Sequence, residues 1–397
     1  MSLKIAIAGG GIGGLAAALA LSRGGSDVTL FEKAPAFTEV GAGIQLGPNV
    51  TQILQSWSLL DAVKRVATAP ERVQVRSAIT ASLLGELRLG QVMAERYGAP
   101  YLTLHRADLH GVLLKAVQQT STALRTDCAV QSFQQTSGAV VMRTDIGEQE
   151  ADVLVGADGL WSNTRQQLLN DAAPRRTGHL AYRALIKQAD LPAQLRSQNV
   201  TAWLGSRLHA VQYPVSHPVQ GGDWLNVVVF VHGDVPSDFQ NWNHSANVAD
   251  LTNQLGGCCT HLQDLVQATP GWRLWVMHDR IPIQGPSQMS QGRVALLGDA
   301  AHPMRPYLAQ GAGMAIEDAA ELGLVLKGTT SQNPSAALQQ YAATRWQRNA
   351  RVQARALRNG QIFHSTGSMR WGRDVAMKLM GEQLLDMTWL YGYRSLP

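Results

Sequence analysis

The chain is poor in cysteine, in charge and in aromatic residues. Cys128, Cys258 and Cys259 are its three cysteines in 397 residues. An odd, irregularly spaced set argues against a disulfide framework and fits a reducing compartment. The adjacent Cys258 and Cys259 read as two small buried side chains rather than a redox pair. No Cys/His spacing of the zinc-binding kind occurs, so no metal is expected. Charged residues are only 16%, and no basic block marks a nucleic-acid arm. The net charge of +5 is spread thinly, a weak field suited to small anions. No apolar run reaches the ~18 residues that span a bilayer. Glycines break the first apolar run at once, unlike a signal peptide. These absences lead us to expect a soluble, cytoplasmic protein without a membrane span or a nucleic-acid partner. What is abundant is apolar residues, 45%, enough for a large core and two domains, or one domain with an insertion.

The first thirty-three residues carry the strongest signal. Leu3–Ala8 is an apolar run of strand length. It leads into Gly9, Gly11 and Gly14, spaced G-x-G-x-x-G. Leu15–Ser22 then reads as helix, and Asp27–Phe31 as a second strand ending at Glu32. This is the strand–turn–helix–strand setting of a dinucleotide site. The first glycine allows the turn, the second lets a pyrophosphate approach, and the third lets helix pack on strand. The helix start offers free N–H groups to phosphate. Glu32 is placed to accept from a ribose. The motif alone does not separate NAD from FAD.

Two later segments add to it. Val153–Val155 reads as a buried strand running into Gly156-Ala157-Asp158-Gly159. Val294–Leu297 reads as another, ending at Gly298-Asp299, with His302-Pro303 beyond. A Gly-rich turn, Gln310–Gly313, precedes a helical run, Met314–Lys327. An acid at the carboxyl end of a strand sits where open α/β sheets bind ligands. The Gly311–Gly313 N–H groups can face a flavin oxygen that gains charge on reduction.

This set, G-x-G-x-x-G with Glu32, then Asp158-Gly159, then Gly298-Asp299 with His302-Pro303, resembles the single-component FAD-dependent aromatic hydroxylases of the p-hydroxybenzoate hydroxylase type. The resemblance covers residues 3–350. Phe31–Asn49, His105–His110, Ala181–Ala184 and Met314–Ala319 are similar to stretches of salicylate hydroxylase, 6-hydroxynicotinate 3-monooxygenase and 3-hydroxybenzoate 6-hydroxylase. Ser56–Val63 and Tyr97–Tyr101 lean toward the last. The resemblance implies FAD, held by Gly9, Gly11, Gly14, Glu32, Arg106, Val130, Asp299, Gly311 and Ala312. Asp158 would serve both FAD and the reductant, NADH or NADPH. It also implies a small aromatic acid and O2 as partners, and transfer of oxygen from a flavin C4a-hydroperoxide to a phenolic ring. Hydroxynicotinate-like rings, and a flavoprotein oxidase or reductase, are the alternatives.

A phenol reacts far better as phenolate, so a general base is expected near its hydroxyl. His209 and Tyr213 alternate with apolar residues and would share one strand face with Val211. His209 titrates in the useful range, and Tyr213 can donate a hydrogen bond. Spacing alone allows an ordinary half-buried strand; the resemblance matches both residues to catalytic positions. Gln45, in a loop spanning Gly41–Gly47, and Pro306 are substrate-site candidates. Pro306 departs from the glutamine of 3-hydroxybenzoate 6-hydroxylases.

The fold class expected is α/β: a Rossmann-like FAD-binding domain with a parallel sheet, an antiparallel-sheet substrate domain, and C-terminal helices. The FAD-binding parts are 1–72, 100–175 and 276–335. The substrate domain is 73–99 and 176–275. Residues 336–397 form the helical region, whose Trp371, Trp389, Tyr391 and Tyr393 dock a terminal helix onto the body, the alternatives being a homodimer surface or a lipid contact.

Overall fold

The computed structural model describes residues 2–37, 43–216, 222–233, 244–245 and 248–394. Lys4–Ala8 is the expected first strand and Asp27–Phe31 the second, hydrogen-bonded in parallel register with Ile5 opposite Val28. The helix between them, Ile12–Arg23, begins three residues earlier than the pattern suggests. Its start is set by the glycines. Gly9 has φ +106°, and its N–H donates to the Phe31 carbonyl at 2.8 Å. A Cβ on Gly14 would lie 1.9 Å from the Gly9 oxygen, so only glycine lets this helix close onto this strand.

Among the described residues the strand order of this sheet is Ser290–Gln291, Val294–Leu296, Val153–Gly156, Lys4–Ala8, Asp27–Phe31, Ala123–Arg125. All neighbours are parallel except the first pair. Strands buried on both faces must be apolar throughout, and Val153, Leu154 and Val155 are all fully buried.

A second, larger sheet runs from His244–Ser245 through Arg273–Asp279, Arg175–Lys187, Asp223–His232, Leu208–Ser216, Val200–Leu204 and Arg72–Ser77 to Leu83–Arg88. It is not wholly antiparallel as expected: Val200–Leu204 lies parallel to Arg72–Ser77, Val200 opposite Val73. The parallel pair arises because Arg72–Ser77 comes from a distant part of the chain and needs no hairpin to reach its neighbour.

The two faces of this sheet do different work. Leu225, Val227, Val229 and Val231 pack with Leu251, Leu262 and Leu265 of the helices Val248–Gln254 and Thr260–Ala268. Val228 and Phe230, on the opposite face, join Ala181, Trp275 and Met277. The period-two alternation thus gives this sheet one face for its core and one for a site.

The C-terminal region is helical as expected: Pro334–Phe363, Gly367–Leu385 and Thr388–Tyr391. Tyr391 is buried and packs on Tyr97 and Tyr101. Arg351 lies over Trp389 and Arg348 over Tyr393. These three aromatics dock the end of the chain, whereas Trp371 is 70% exposed. No helix among the described residues is long and apolar enough to cross a membrane.

Candidate active site

A cavity of about 310 Å³ lies between the parallel sheet and the open face of the larger one. Gly11, Ile12 and Gly13 line one end, where the helix Ile12–Arg23 begins. Gly311 and Ala312 line another part, where the helix Gly311–Leu326 begins. Two helix N-termini therefore face one cavity, and both favour negative charge. The Gly-rich segment read as a turn is already the first turn of that second helix. A Cβ on Gly311 would meet no protein atom within 4 Å. Asp299, exposed at the end of Val294–Leu296, lines the same cavity, as does Arg106 at the first position of the helix Arg106–Val117. These residues fit a flavin dinucleotide, with donors for its phosphates and ring oxygens and an open cradle at glycine.

Other expected contacts are engaged elsewhere. Glu32 accepts the N–H groups of Gly10 and Ala34, at 2.7 and 2.8 Å. Asp158 does not line the cavity. Its carboxylate accepts from Ser162 Oγ at 2.5 Å and from Thr164 N and Oγ1 at 3.0 Å, fixing the start of the helix Asn163–Leu169. Neighbouring Ala157, Gly159 and Leu160 form the wall instead. Val130 is buried in a side core with Cys128 and Phe133.

The larger sheet supplies the opposite wall. Its register sets His209, Phe230 and Ala181 in one row across three strands, and Val211, Val228 and Arg183 in the next. Tyr213 and Asn226 follow in a third row. Val211, Tyr213, Val228, Phe230 and Arg183 line the cavity. His209 does not: it lies beyond, its ring stacked on Phe230 at 4.5 Å. Four strand residues span roughly 13 Å, so His209 and Tyr213 serve opposite ends of the site and not one shared atom.

Gln45 lies on a short strand, Gly43–Leu46, not in a loop; residues 41 and 42 are outside the described residues. Tyr101 donates to its Oε1 at 2.6 Å, and Gln45 is also hydrogen-bonded to Tyr213. Burial pushes the Tyr213 hydroxyl well above its ordinary value, with Arg183 nearby and the Gln45 bond opposing. Tyr213 is therefore a neutral donor. Pro306 lines the cavity too.

Arg183 is the cavity residue that sequence reasoning missed. Its guanidinium lies 3.8 Å from the Trp275 ring centroid, and its Nε has no hydrogen-bond partner among the described residues. Burial lowers its pKa to about 10, opposed by Tyr213 and helped by the Arg106 charge. A charged residue within the otherwise apolar Leu180–Ile186 was the available signal.

Beneath the cavity floor lies a buried polar network. Asp318 accepts from His302 Nε2 at 2.5 Å, Arg345 Nε at 2.8 Å and Asn349 Nδ2 at 2.9 Å. Burial alone would raise its pKa, but the His302 and Arg345 contacts outweigh that and hold it far below the carboxylate range. His302 is fully buried here, a support for the turn rather than a cavity residue. Glu317 pairs with Arg345 and Arg348. A separate, open cavity of about 430 Å³ beside Lys187, Arg196 and Asp223 lies where the strand Arg175–Lys187 ends and the strand Asp223–His232 begins.

Residues 2–356 match the family described as FAD binding domain. The chain is 37% identical to 3-hydroxybenzoate 6-hydroxylase of Polaromonas naphthalenivorans, over 98% of this chain and 96% of that protein. It is 36% identical to 3-amino-4-hydroxybenzoate 2-monooxygenase PtnB3 of Streptomyces platensis, over 99% and 97%. A salicylate hydroxylase substrate complex superposes with a TM-score of 0.83 at 26% identity, covering 99% of this chain and 96% of that one.

Proposed function

The chain belongs to the FAD-dependent aromatic hydroxylases, and from that premise we propose that it hydroxylates a phenolic aromatic acid, a hydroxybenzoate in particular. The observation that carries the substrate class is Arg183. A buried guanidinium with a free Nε, in a wall of Val, Phe and Trp, calls for an anion attached to an apolar ring. Bound FAD, reduced by NAD(P)H, activates O2 and supplies the electrophilic oxygen atom.

The chain's residues bind and orient. Gly11, Arg106, Asp299, Gly311 and Ala312 hold the cofactor on a turn that Gly9 and Gly14 let close, with Glu32 released from Gly10 to its ribose. The substrate ring rests on Val211 and Val228. Arg183 and Tyr213 take its carboxylate, and Gln45 fixes the Tyr213 hydroxyl. The phenolic hydroxyl points to the Phe230 end, and we assign its base to His209, which lies just behind that ring. Burial pushes His209 well below its ordinary pKa, with His364 and His179 adding to the fall, so its imidazole is neutral and offers a lone pair to a hydroxyl. Pro306 and the apolar walls exclude water from the ring. We place the enzyme in the reducing cytoplasm, on its three free cysteines, and infer a homodimer joined through the exposed Met369 and Trp371 of Gly367–Leu385.

The test is product analysis with NADH and a panel of 3-hydroxybenzoate, 4-hydroxybenzoate, salicylate and 6-hydroxynicotinate. A dihydroxybenzoate formed with NADH consumption coupled to it is the expected result. Coupled turnover of 6-hydroxynicotinate alone would move the substrate class to N-heteroaromatics.

A further inference from the structure

At the end of the cavity away from Phe230, side chains from three stretches of chain meet in one hydrogen-bonded line. The strand Gly43–Leu46 pairs antiparallel with Leu102–His105, Gln45 opposite Thr103. Tyr101 stands two residues before Thr103, which at strand period makes it a diagonal neighbour of Gln45 on the same face. Thr103 Oγ1 donates to the Pro214 carbonyl at 2.6 Å, and this brings Tyr213 beside the same pair. Asn226 Oδ1 accepts the Gly43 N–H at 2.8 Å. A Cβ on Gly43 would lie 2.8 Å from the Tyr213 hydroxyl, so backbone is held close against that ring. Tyr101 is supported from behind. Tyr391 meets its ring edge-on, centroids 6.2 Å apart, and a Cβ on Gly47 would come within 3.0 Å of the Tyr391 ring.

The direction of the hydrogen bonds along this line is decided at Tyr101. Its hydroxyl is buried, and burial, with Tyr391 and Tyr213 adding, holds its pKa well above the ordinary value. The proton therefore stays on and needs an acceptor, which is Gln45 Oε1 at 2.6 Å. An amide has one accepting end and one donating end. With Oε1 taken by Tyr101, the NH2 end is left to donate to the Tyr213 oxygen, in keeping with the downward pull of this bond on the Tyr213 pKa. Among the described residues no acceptor takes the proton of Tyr213 itself, so that proton is left for the cavity that Tyr213 lines. Turning the amide over would reverse the line. It would also leave the Tyr101 O–H buried without an acceptor, at the full desolvation cost of that group.

We propose that Tyr101 is a specificity-positioning residue: it orients the Gln45 amide so that Tyr213 presents only a donor to the substrate. This end of the cavity then takes a group that accepts hydrogen bonds and turns away one that must donate them. The inference rests on the hydroxylase reading above, in which Tyr213 and Arg183 hold the substrate's carboxylate. Arg183 also has only donors. A carboxylate offers acceptors at both oxygens and satisfies both residues. A primary carboxamide on the same ring has to turn its NH2 end toward one of them, and two facing donors repel. Arg183 favours the anion by charge; Tyr101 adds a rejection that does not depend on charge. Tyr101 does not line the cavity, so it reaches the substrate through Gln45 and Tyr213.

The experiment titrates FAD-loaded enzyme with 3-hydroxybenzoate and 3-hydroxybenzamide and, in parallel, with salicylate and salicylamide, following the flavin absorbance. Tyr101→Phe keeps a ring against Tyr391 and removes the proton that fixes the amide. Gln45 is then free to turn over and take the Tyr213 O–H away from the substrate. Kd for the acid should rise by about 10–100-fold, the value of a hydrogen bond to a charged group. Kd for the amide should rise far less or fall, because the Tyr213 oxygen now faces it. The preference for acid over amide should therefore shrink by ~10-fold or more. Tyr101→Phe combined with Tyr213→Phe should bind the acid no more weakly than Tyr213→Phe alone, since Tyr101 acts through that hydroxyl. FAD content should match wild type throughout. An unchanged preference for acid over amide in Tyr101→Phe would overturn the proposal. So would a further loss of acid binding on top of Tyr213→Phe, which would make Tyr101 a packing residue. Either result leaves the hydroxylase reading intact. If neither acid binds the wild type, the reading of the site fails and the role of Tyr101 falls with it.

Discussion

Asp318 Oδ2 accepts the backbone N–H of Gly298 at 3.1 Å, from twenty residues further along the chain. The same oxygen is bound by His302. One buried carboxylate therefore clamps both ends of the turn that presents Asp299 to the cavity. Asp318→Ala would strand His302, Arg345 and Asn349 together. Removing one partner of a buried ionic group costs about 3–5 kcal/mol. We expect that loss in urea unfolding, with weaker FAD retention. An unchanged midpoint would show that the network relaxes.

Gly11 tests the cofactor assignment. Gly11→Val puts a branched side chain at the mouth of the helix Ile12–Arg23, where pyrophosphate must approach backbone. The variant should fold and purify colourless. Stoichiometric yellow flavin in it would contradict the assignment.

Arg183 tests the substrate class. Arg183→Met leaves an unbranched apolar side chain beside Trp275 and removes the guanidinium that lies over its ring. A hydrogen bond to a charged group contributes about 1.5–3 kcal/mol, so KM for the hydroxybenzoate should rise by roughly 10–100-fold. FAD content should not change, and a benzoate ester should lose its disadvantage against the acid. Equal KM values in variant and wild type would remove Arg183 from the site.

Tyr213→Phe and His209→Ala separate binding from chemistry. Both should keep FAD and oxidise NADH in the presence of substrate. The electrons should be diverted to hydrogen peroxide, because a misplaced or un-ionised ring does not capture the oxygen in time. The ratio of hydroxylated product to NADH consumed is the readout. Wild-type coupling in both would make them ordinary strand residues.

His179 and His364 also predict a pH profile for stability. The native pKa values of His179 and His364, about 4 and about 3, lie below the ~6.5 of an unfolded histidine. Between those values the unfolded chain binds more protons, so stability falls as pH falls. Their contribution is complete above pH ~6.5 and is lost progressively toward pH 4. The melting temperature should drop over that window, and His364→Gln should flatten the slope. An identical slope in that variant would assign the acid lability to carboxylates.

The sequence was most informative where its information is local. Gly9 to Glu32 is one turn, one helix and one strand pair, and each residue's reason lies within a few positions of it. The contents of the cavity wall were harder to read. Arg183 reaches Val211 only through the register of three strands, and no period in the sequence encodes that register. His209 and His364 are 155 positions apart, joined by a helix end that returns to the sheet. Asp158 satisfied the motif but spends its carboxylate on Ser162 and Thr164, an outcome the helix-cap preference of aspartate had always allowed. Glu317 and Asp318 were visible as two adjacent acids, with Glu321 one turn on, in a helix whose other residues are small or apolar. Such a pair is a signal of buried cations on the facing element, here Arg345 and Arg348.

The order of strands bears on how the protein is made. Lys4–Ala8 precedes its sheet neighbours in the chain yet sits between Val153–Gly156 and Asp27–Phe31, and that side is extended only when Val294–Leu296 arrives. Val73 likewise waits for Val200. Neither sheet can be completed by an amino-terminal fragment, and loop closure over such distances is slow. The nascent chain holds apolar, unpaired strands in a state open to chaperones until Val294–Leu296 is synthesised. The flavin pocket, shared between the earliest and the late segments, is then among the last features to form.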